Sequence, residues 1–540
     1  MNLRSHLVQR LLHLPPPATR DLTVEHDLRV PTHDGAVLLA DRWTPRSGAA
    51  DLPTALIRIP YGRAGLIAAQ LARPLAERGF QVLIQSTRGT FGSGGTFDPL
   101  RREREDGLDT LKWLVEQPWC GEAVVLYGGS YLGFAQWSVA GQLPSQVKAL
   151  IPSVSESAFT LDFLRKESFD LEATFGWCLQ VAGQERRGAM LRQALRIRRE
   201  RRAWYTLPLN EADTAAIGRR SDYFQNTLDH DADSPFWSVL DHSSRVADLT
   251  VPVSTVGGWY DIFLPGQLRD FQALQGAGRE ARLTVGPWAH ISMGVGVTAT
   301  AEALDFGLAH ARGERPSDRA PVRLFVTGAE TWRDFPSWPP PDYAPQRLHF
   351  HPAGALSADP PPESAPDTYR YDPADPTPAV GGVRMAVGVK SGRVDNTALE
   401  SRPDVLTYTT PVLDKGVEVI GEVSAEIWFR SSLPYTDVFV RLCDVDEKGR
   451  STNVCDGLVG LTDADDTTCA KVQLWPTAHH FKRGHRIRVQ ISSGAFPRYN
   501  RNLGTGEPRA TATTLRAADQ QVLHTPAHPS AVILPIARPN

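Results

Sequence analysis

Residues 127–137 read YGGSYLGFAQW, with Ser130 set among glycines at the end of a short apolar run. A serine on a sharp strand-to-helix turn exposes its hydroxyl and sits at the positive end of a helix dipole, where an oxyanion is stabilised. The usual elbow is Gly-x-Ser-x-Gly, but here the second glycine falls one place late, at Gly133. Alone, the stretch fits a serine in a glycine-rich loop equally well. Asp261 ends the run VPVSTVGGWYD and His290 ends ARLTVGPWAH, so Ser, Asp and His follow the chain order of an α/β-hydrolase triad. Singly, Asp261 fits a helix N-cap, and His290 is one of 15 histidines with a packing or surface role. Together, at three strand ends, they point to nucleophilic acyl transfer. His290 would take the proton of Ser130, whose oxygen attacks a carbonyl carbon while Asp261 holds the imidazole; water would then resolve the acyl-enzyme. The Tyr131 backbone N–H would be one oxyanion donor. Tyr61, in RIPYGR after the first central strand, is the candidate for the second through its hydroxyl; its other reading is a half-buried aromatic before a turn.

Such residues need a scaffold of strands that deliver them to one edge. TALIRIP, FQVLIQST, AVVLY and KALIPS read as buried strands, and AGLIAAQLARPLAERG and EDGLDTLKWLVEQ between them have helical spacing. This alternation implies right-handed crossovers and a mostly parallel sheet covered on both faces. A hairpin around Asp34-Gly35 precedes it. The strand signal fades from about residue 155 to 245, where QERRGAMLRQALRIRRERRAW reads as helical with a solvated arginine face. It returns for 246–345 and fades again near APVRLFVTG. Prolines between about 335 and 382 are too dense for regular secondary structure and predict a domain seam. Beyond them, short β-rich segments predict a jelly-roll sandwich. The expected architecture is an α/β-hydrolase core (1–150 and 246–345), a helical cap insertion (151–245) and a jelly-roll domain (346–540).

The 58 basic and 61 acidic residues leave a formal charge of -3, with no excess to steer the chain to nucleic acid or an anionic membrane. A small neutral molecule is the expected partner. Five scattered cysteines lack the spacing of a zinc site or disulfide framework. Asp437, Asp444 and Asp446 match no EF-hand loop and read as turn and edge residues. The N-terminus lacks a secretory pattern and no apolar run approaches the ~20 residues of a membrane helix, so the expected location is cytoplasmic. Oligomeric state is not legible, and a homodimer is compatible with the composition.

The motifs IPYGR, STRGTFGSGGTF, EDGLDTLKWLVEQPWC, GGSYLGFAQW, GGWYD, GPWAH and SSGAFPRYNRNLGTGE occur in order. In this the chain resembles the bacterial cocaine esterase and X-prolyl dipeptidyl-peptidase family of serine hydrolases, from about residue 28 to 536. The family's elbow is Gly-x-Ser-Tyr-x-Gly, which accounts for Gly133. The resemblance implies Ser130 as nucleophile, Asp261 and His290 as its partners, Tyr61 hydroxyl and Tyr131 N–H as oxyanion hole, and no metal or organic cofactor. It also implies an aromatic acyl pocket matched by Trp177 in FGWCLQ and by Phe263, although both fit a plain core role. Relatives that act on α-amino esters or peptide N-termini hold the substrate ammonium with carboxylates, which in the ester hydrolases lie beyond the catalytic aspartate; DIFLPG has no acid after Asp261. A neutral aromatic or short aliphatic acyl group is therefore expected, with Glu156 and Glu167 the acids that could still supply charge. The competing readings are an X-prolyl dipeptidyl-peptidase or amide-cleaving acylase, and a binding protein in which the jelly-roll carries the function.

Overall fold

The computed structural model describes residues 9–10, 14–48, 52–159, 164–165, 168–185, 197–385 and 388–538. Glu167 and most of the arginine-rich run of the insertion lie outside them. The first sheet contains β1 (Leu22–Pro31), β2 (Val37–Pro45), β3 (Thr54–Ile59), β4 (Gln81–Ser86), β5 (Val124–Gly129), β6 (Val147–Ser153), β7 (Val253–Tyr260), β8 (Ala281–Ala289), β9 (Val322–Val326) and β10 (Thr331–Phe335). Its spatial order is β1-β2-β4-β3-β5-β6-β7-β8-β9-β10. Strands β4 through β9 run parallel, with antiparallel β1, β2 and β10 at the edges. Every residue of β3, β4 and β7 is buried, as expected of strands covered on both faces. By contrast β10, with Arg333 and Asp334, is almost wholly exposed, and such charges blunt a free edge.

Helices α1 (Gly65–Ala76), α2 (Glu103–Val115) and α3 (Tyr131–Trp137) provide the early crossovers. The cap contributes α4 (Leu171–Val181), α5 (Ala212–Ile217) and α6 (Asp222–Asp229), and α7 (Leu264–Gly276) follows β7. Phe169, Leu171, Phe175 and Phe224 of the cap share a buried apolar cluster with Tyr131 and Phe134 of α3 and with Phe496 of the C-terminal domain. The cap is thus packed against both neighbours. This is an α/β-hydrolase with a C-terminal all-β jelly-roll, whose longest fully buried strand is Thr436–Val445, paired on both sides with antiparallel neighbours.

Two local expectations need correction. The stretch around APVRLFVTG holds β9, which continues the first sheet beside β8. The proline-rich region holds strands Tyr343–His351 and Asp367–Tyr371 of the C-terminal domain. Its prolines gather mostly in connections, as at 339–341, 352 and 360–362, and Pro345 lies opposite Pro535 on the neighbouring strand. Most of these prolines therefore mark the connections between strands, where a missing N–H costs no ladder bond, and Pro345 is an exception inside a strand.

Candidate active site

Ser130 lies between β5 and α3 with φ 59° and ψ -126°, a backbone conformation that costs a non-glycine residue about 1–3 kcal/mol and clusters at functional turns. The turn can be this tight because two glycines allow close approach. A Cβ on Gly133 would lie 2.5 Å from Ser155 Cβ on the chain after β6, and one on Gly128 would lie 2.5 Å from Leu132 Cβ. The late glycine is thus required by packing against the neighbouring strand's continuation.

The structure brings Ser130, His290 and Asp261 together. His290 Nε2 is 2.9 Å from Ser130 Oγ, and His290 Nδ1 is 2.7 Å from Asp261 Oδ2. With Nδ1–H donating to the carboxylate, Nε2 is left as acceptor for the serine proton. Asp261 is fully buried; its Oδ1 accepts the Phe263 amide at 2.7 Å. Each member follows a strand of the parallel sheet: Ser130 after β5, Asp261 after β7, His290 after β8.

A cavity opens over Ser130 and His290, lined by Tyr61, Phe134, Phe159, Trp177, Tyr223 and Phe263 among others. Phe263 packs 5.3 Å from the His290 ring and 5.8 Å from Phe159. Tyr61 reaches the same cavity, and burial pushes its hydroxyl up to about 12, so it stays a proton donor near neutral pH. The loop that carries it is pinned by Arg63, which donates to Asp41 Oδ1 at 3.0 Å and to the Phe91 carbonyl at 2.5 Å. Tyr131, as the first residue of α3, has no intrahelical acceptor for its N–H. Its hydroxyl donates to buried Glu103 at 2.6 Å, and Glu103 pairs with Arg58 at 2.8 Å, which anchors the helix start. Trp177 lines the cavity, but its indole N–H also donates to the Tyr61 hydroxyl at 2.9 Å. Among the described residues Glu156 is the acid lining the cavity, with the Arg269 guanidinium 3.8 Å from its carboxylate. The aspartates set aside as turn and edge residues are engaged elsewhere: Asp444 by His479 and His485, Asp446 by Arg450, Asp437 by Asn502.

Residues 34–292 match the X-Pro dipeptidyl-peptidase (S15 family), and residues 317–533 match the X-Pro dipeptidyl-peptidase C-terminal non-catalytic domain. The chain is 32% identical to the cocaine esterase of Rhodococcus sp. (strain MB1 Bresler) over 96% of this chain and 99% of that one. It belongs to this family of serine hydrolases. Among solved structures, an aminopeptidase from a marine sediment Thaumarchaeota archaeon superposes with a TM-score of 0.82, at 22% identity over 97% of this chain and 98% of that one. An alpha-amino acid ester hydrolase superposes with a TM-score of 0.81, also at 22% identity and with 97% and 98% coverage. These two likenesses concern the fold.

The family's C-terminal domain reaches the site at two points that sequence reasoning missed. Met385 lines the cavity, and the Trp475 indole N–H donates to the backbone carbonyl of Asp261 at 3.0 Å. Trp475 is itself held by its amide bond to the Asp456 carbonyl (2.9 Å) and by the buried Arg498 guanidinium 4.9 Å from its ring. The cap is tied to the same domain: Arg384 donates to both carboxylate oxygens of Glu172 on α4, at 3.0 and 2.8 Å from Nε, with both side chains buried. No local signal in the sequence could have paired residues more than 200 positions apart. Among the described residues, no cluster of His, Cys, Asp and Glu could hold a metal ion, and no helix is long and apolar enough to cross a membrane.

Proposed function

We propose that the protein hydrolyses carboxylic esters bearing a neutral, apolar acyl group, aromatic or short aliphatic, with Ser130 as nucleophile, His290 as general base and acid, and Asp261 as its orienting partner. The observation that carries this reading is the continuous Ser130–His290–Asp261 hydrogen-bond chain at the floor of an aromatic cavity. Ser130 Oγ attacks the ester carbonyl as its proton passes to His290 Nε2, and the imidazolium is stabilised by Asp261. The carbonyl oxygen, now an oxyanion, accepts from the Tyr131 N–H and the Tyr61 O–H. Collapse expels the alcohol, which takes the proton from His290. Water then enters, gives a proton to the same nitrogen as its oxygen adds to the acyl carbon, and the second collapse breaks the bond to Ser130 Oγ, which takes that proton back as the acid leaves.

The acyl preference is supported by what faces the cavity after Asp261: Ile262 and Phe263 are apolar, and Glu156 already has Arg269 beside it. Among the described residues no carboxylate other than Glu156 lines the cavity, and a substrate ammonium that lost its hydration there without one of its own would cost several kcal/mol. The cap and the C-terminal domain wall the cavity through Trp177, Tyr223 and Met385, and on this reading they set the acyl pocket. The test is turnover of p-nitrophenyl esters from acetate to octanoate and of the benzoate, by the wild type and Ser130→Ala, with Ala-Pro p-nitroanilide alongside. The reading expects benzoate or short-chain turnover and a drop on the order of 10⁴-fold or more in the alanine variant. Undiminished activity in that variant sinks the nucleophile assignment, and preferential anilide turnover sinks the ester assignment.

A further inference from the structure

A phenol hydroxyl carries one proton and two acceptor positions, so an oxyanion donor must keep that proton aimed at the substrate. An indole N–H can only donate. The 2.9 Å bond from Trp177 Nε1 therefore occupies an acceptor position of the Tyr61 oxygen and bars the phenol proton from pointing towards the cap. That leaves the proton to the other side of the oxygen, on a side chain that lines the cavity. Trp177 is closely held on its own account: the Tyr131 ring stacks on it at 6.2 Å with 25° between planes, and the Tyr223 ring meets it edge-on at 4.7 Å and 73°. One indole thus touches both residues assigned to the oxyanion hole, Tyr61 through its N–H and Tyr131 through its ring. Its helix is fixed at the start by the Asp170 side chain, which accepts from the Ala173 amide at 2.8 Å, and by the buried pair of Glu172 with Arg384.

We propose that Trp177 is a positioning residue for the oxyanion hole: its N–H orients the Tyr61 hydroxyl proton towards the substrate oxygen, and its ring braces Tyr131. The proposal rests on the reading of Tyr61 as an oxyanion donor. It separates two roles that a pocket-lining tryptophan merges, since a mere wall alters substrate binding whereas an orienting donor alters the transition state.

The test is a double-mutant cycle with Tyr61→Phe and Trp177→Phe, measuring kcat and KM on the best p-nitrophenyl ester together with inhibition by phenylboronic acid, whose tetrahedral serine adduct places an oxygen where the oxyanion forms. Trp177→Phe is expected to lower kcat by about tenfold, the scale of one oriented hydrogen bond, with KM within about twofold and boronate affinity falling in parallel. In the Tyr61→Phe background the same change should add no further loss. An equal loss in both backgrounds, or a loss confined to KM, overturns the proposal and leaves Tyr61 in place. Wild-type kcat in Tyr61→Phe itself removes the oxyanion reading and the proposal with it. Should the phenylalanine variant fail to fold, benzothienylalanine at position 177 keeps the bicyclic shape and deletes only the N–H. Wild-type kcat there also overturns the proposal.

Discussion

At the scale of single residues, the environment of the site decides which groups stay neutral. His242, behind the cavity, is buried against Phe134, 5.3 Å between ring centres, and its Nδ1 accepts from Arg245 at 3.1 Å. Burial, with Arg245 and Arg104 adding repulsion, pushes its pKa down to about 4, below the 6.5 of an ordinary histidine. The folded protein therefore holds His242 neutral while the unfolded chain takes up a proton below pH 6.5. Its contribution to stability is complete above that pH and is lost as pH falls from 6.5 towards 4, by up to about 3 kcal/mol. Burial raises the Asp270 carboxyl to about 6, so that group works in the opposite sense over roughly pH 4–6, and only a variant-minus-wild-type comparison isolates the histidine. Urea unfolding of His242→Asn between pH 7.5 and 4.5 should show a flatter acid limb than the wild type. Parallel limbs would contradict the assignment.

The three residues that the structure joins in one hydrogen-bond chain were legible as a candidate triad for a specific reason: each follows an apolar run, and their chain order is shared by hydrolases of this fold. Tyr61 was legible only as a candidate, because a tyrosine before a turn carries no local mark of the role proposed for it. Trp177 shows the limit more sharply. Its type and place suggested a pocket wall, but its bond to Tyr61 spans 116 residues of chain and exists only once the cap is docked.

At the scale of elements, the strand-to-helix turn between β5 and α3 is the part of the fold with least freedom. Gly133 has an ordinary helical backbone, so its replacement by alanine is a question of space alone. The added methyl would stand 2.5 Å from Ser155 Cβ, far inside contact, and the chain beyond β6 would have to move. Gly133→Ala is expected to cost about 1–3 kcal/mol, the usual penalty of overpacking, and to lower kcat because the same shift displaces Ser130. Chemical denaturation and esterase assays on the purified variant check both effects. Unchanged stability would mean that the chain beyond β6 makes room for the methyl and that packing does not require a glycine at 133.

Alternating helices and buried strands announced the catalytic sheet because its interior strands are apolar throughout. The C-terminal strands embedded among prolines were not announced, since residue composition cannot distinguish a proline at a strand end from one that forbids a strand.

At the scale of the whole molecule, the jelly-roll is joined to the catalytic apparatus by buried polar contacts as well as by apolar packing. Trp259, Phe263 and Val285 of the catalytic domain share one buried cluster with Phe350, Val440 and Trp475 of the C-terminal domain. The Glu172–Arg384 pair crosses from cap to jelly-roll with both partners out of water. Arg384→Met strands a buried carboxylate and is expected to destabilise the protein by about 3–5 kcal/mol, whereas Arg384→Met with Glu172→Leu should recover most of the loss. Thermal and urea unfolding of the two variants separate a buried ion pair from simple packing. Equal destabilisation of single and double variants would contradict this account of the cap's anchorage.

The central claim is that Ser130 carries the acyl group between the two half-reactions. Rapid acid quench of the enzyme during turnover of p-nitrophenyl benzoate, followed by peptide mapping by mass spectrometry, tests it directly. The account predicts one benzoyl group on the peptide containing Ser130, absent from Ser130→Ala. Benzoyl on another residue, or steady turnover with no acyl-enzyme in a variant slowed at deacylation, would contradict it.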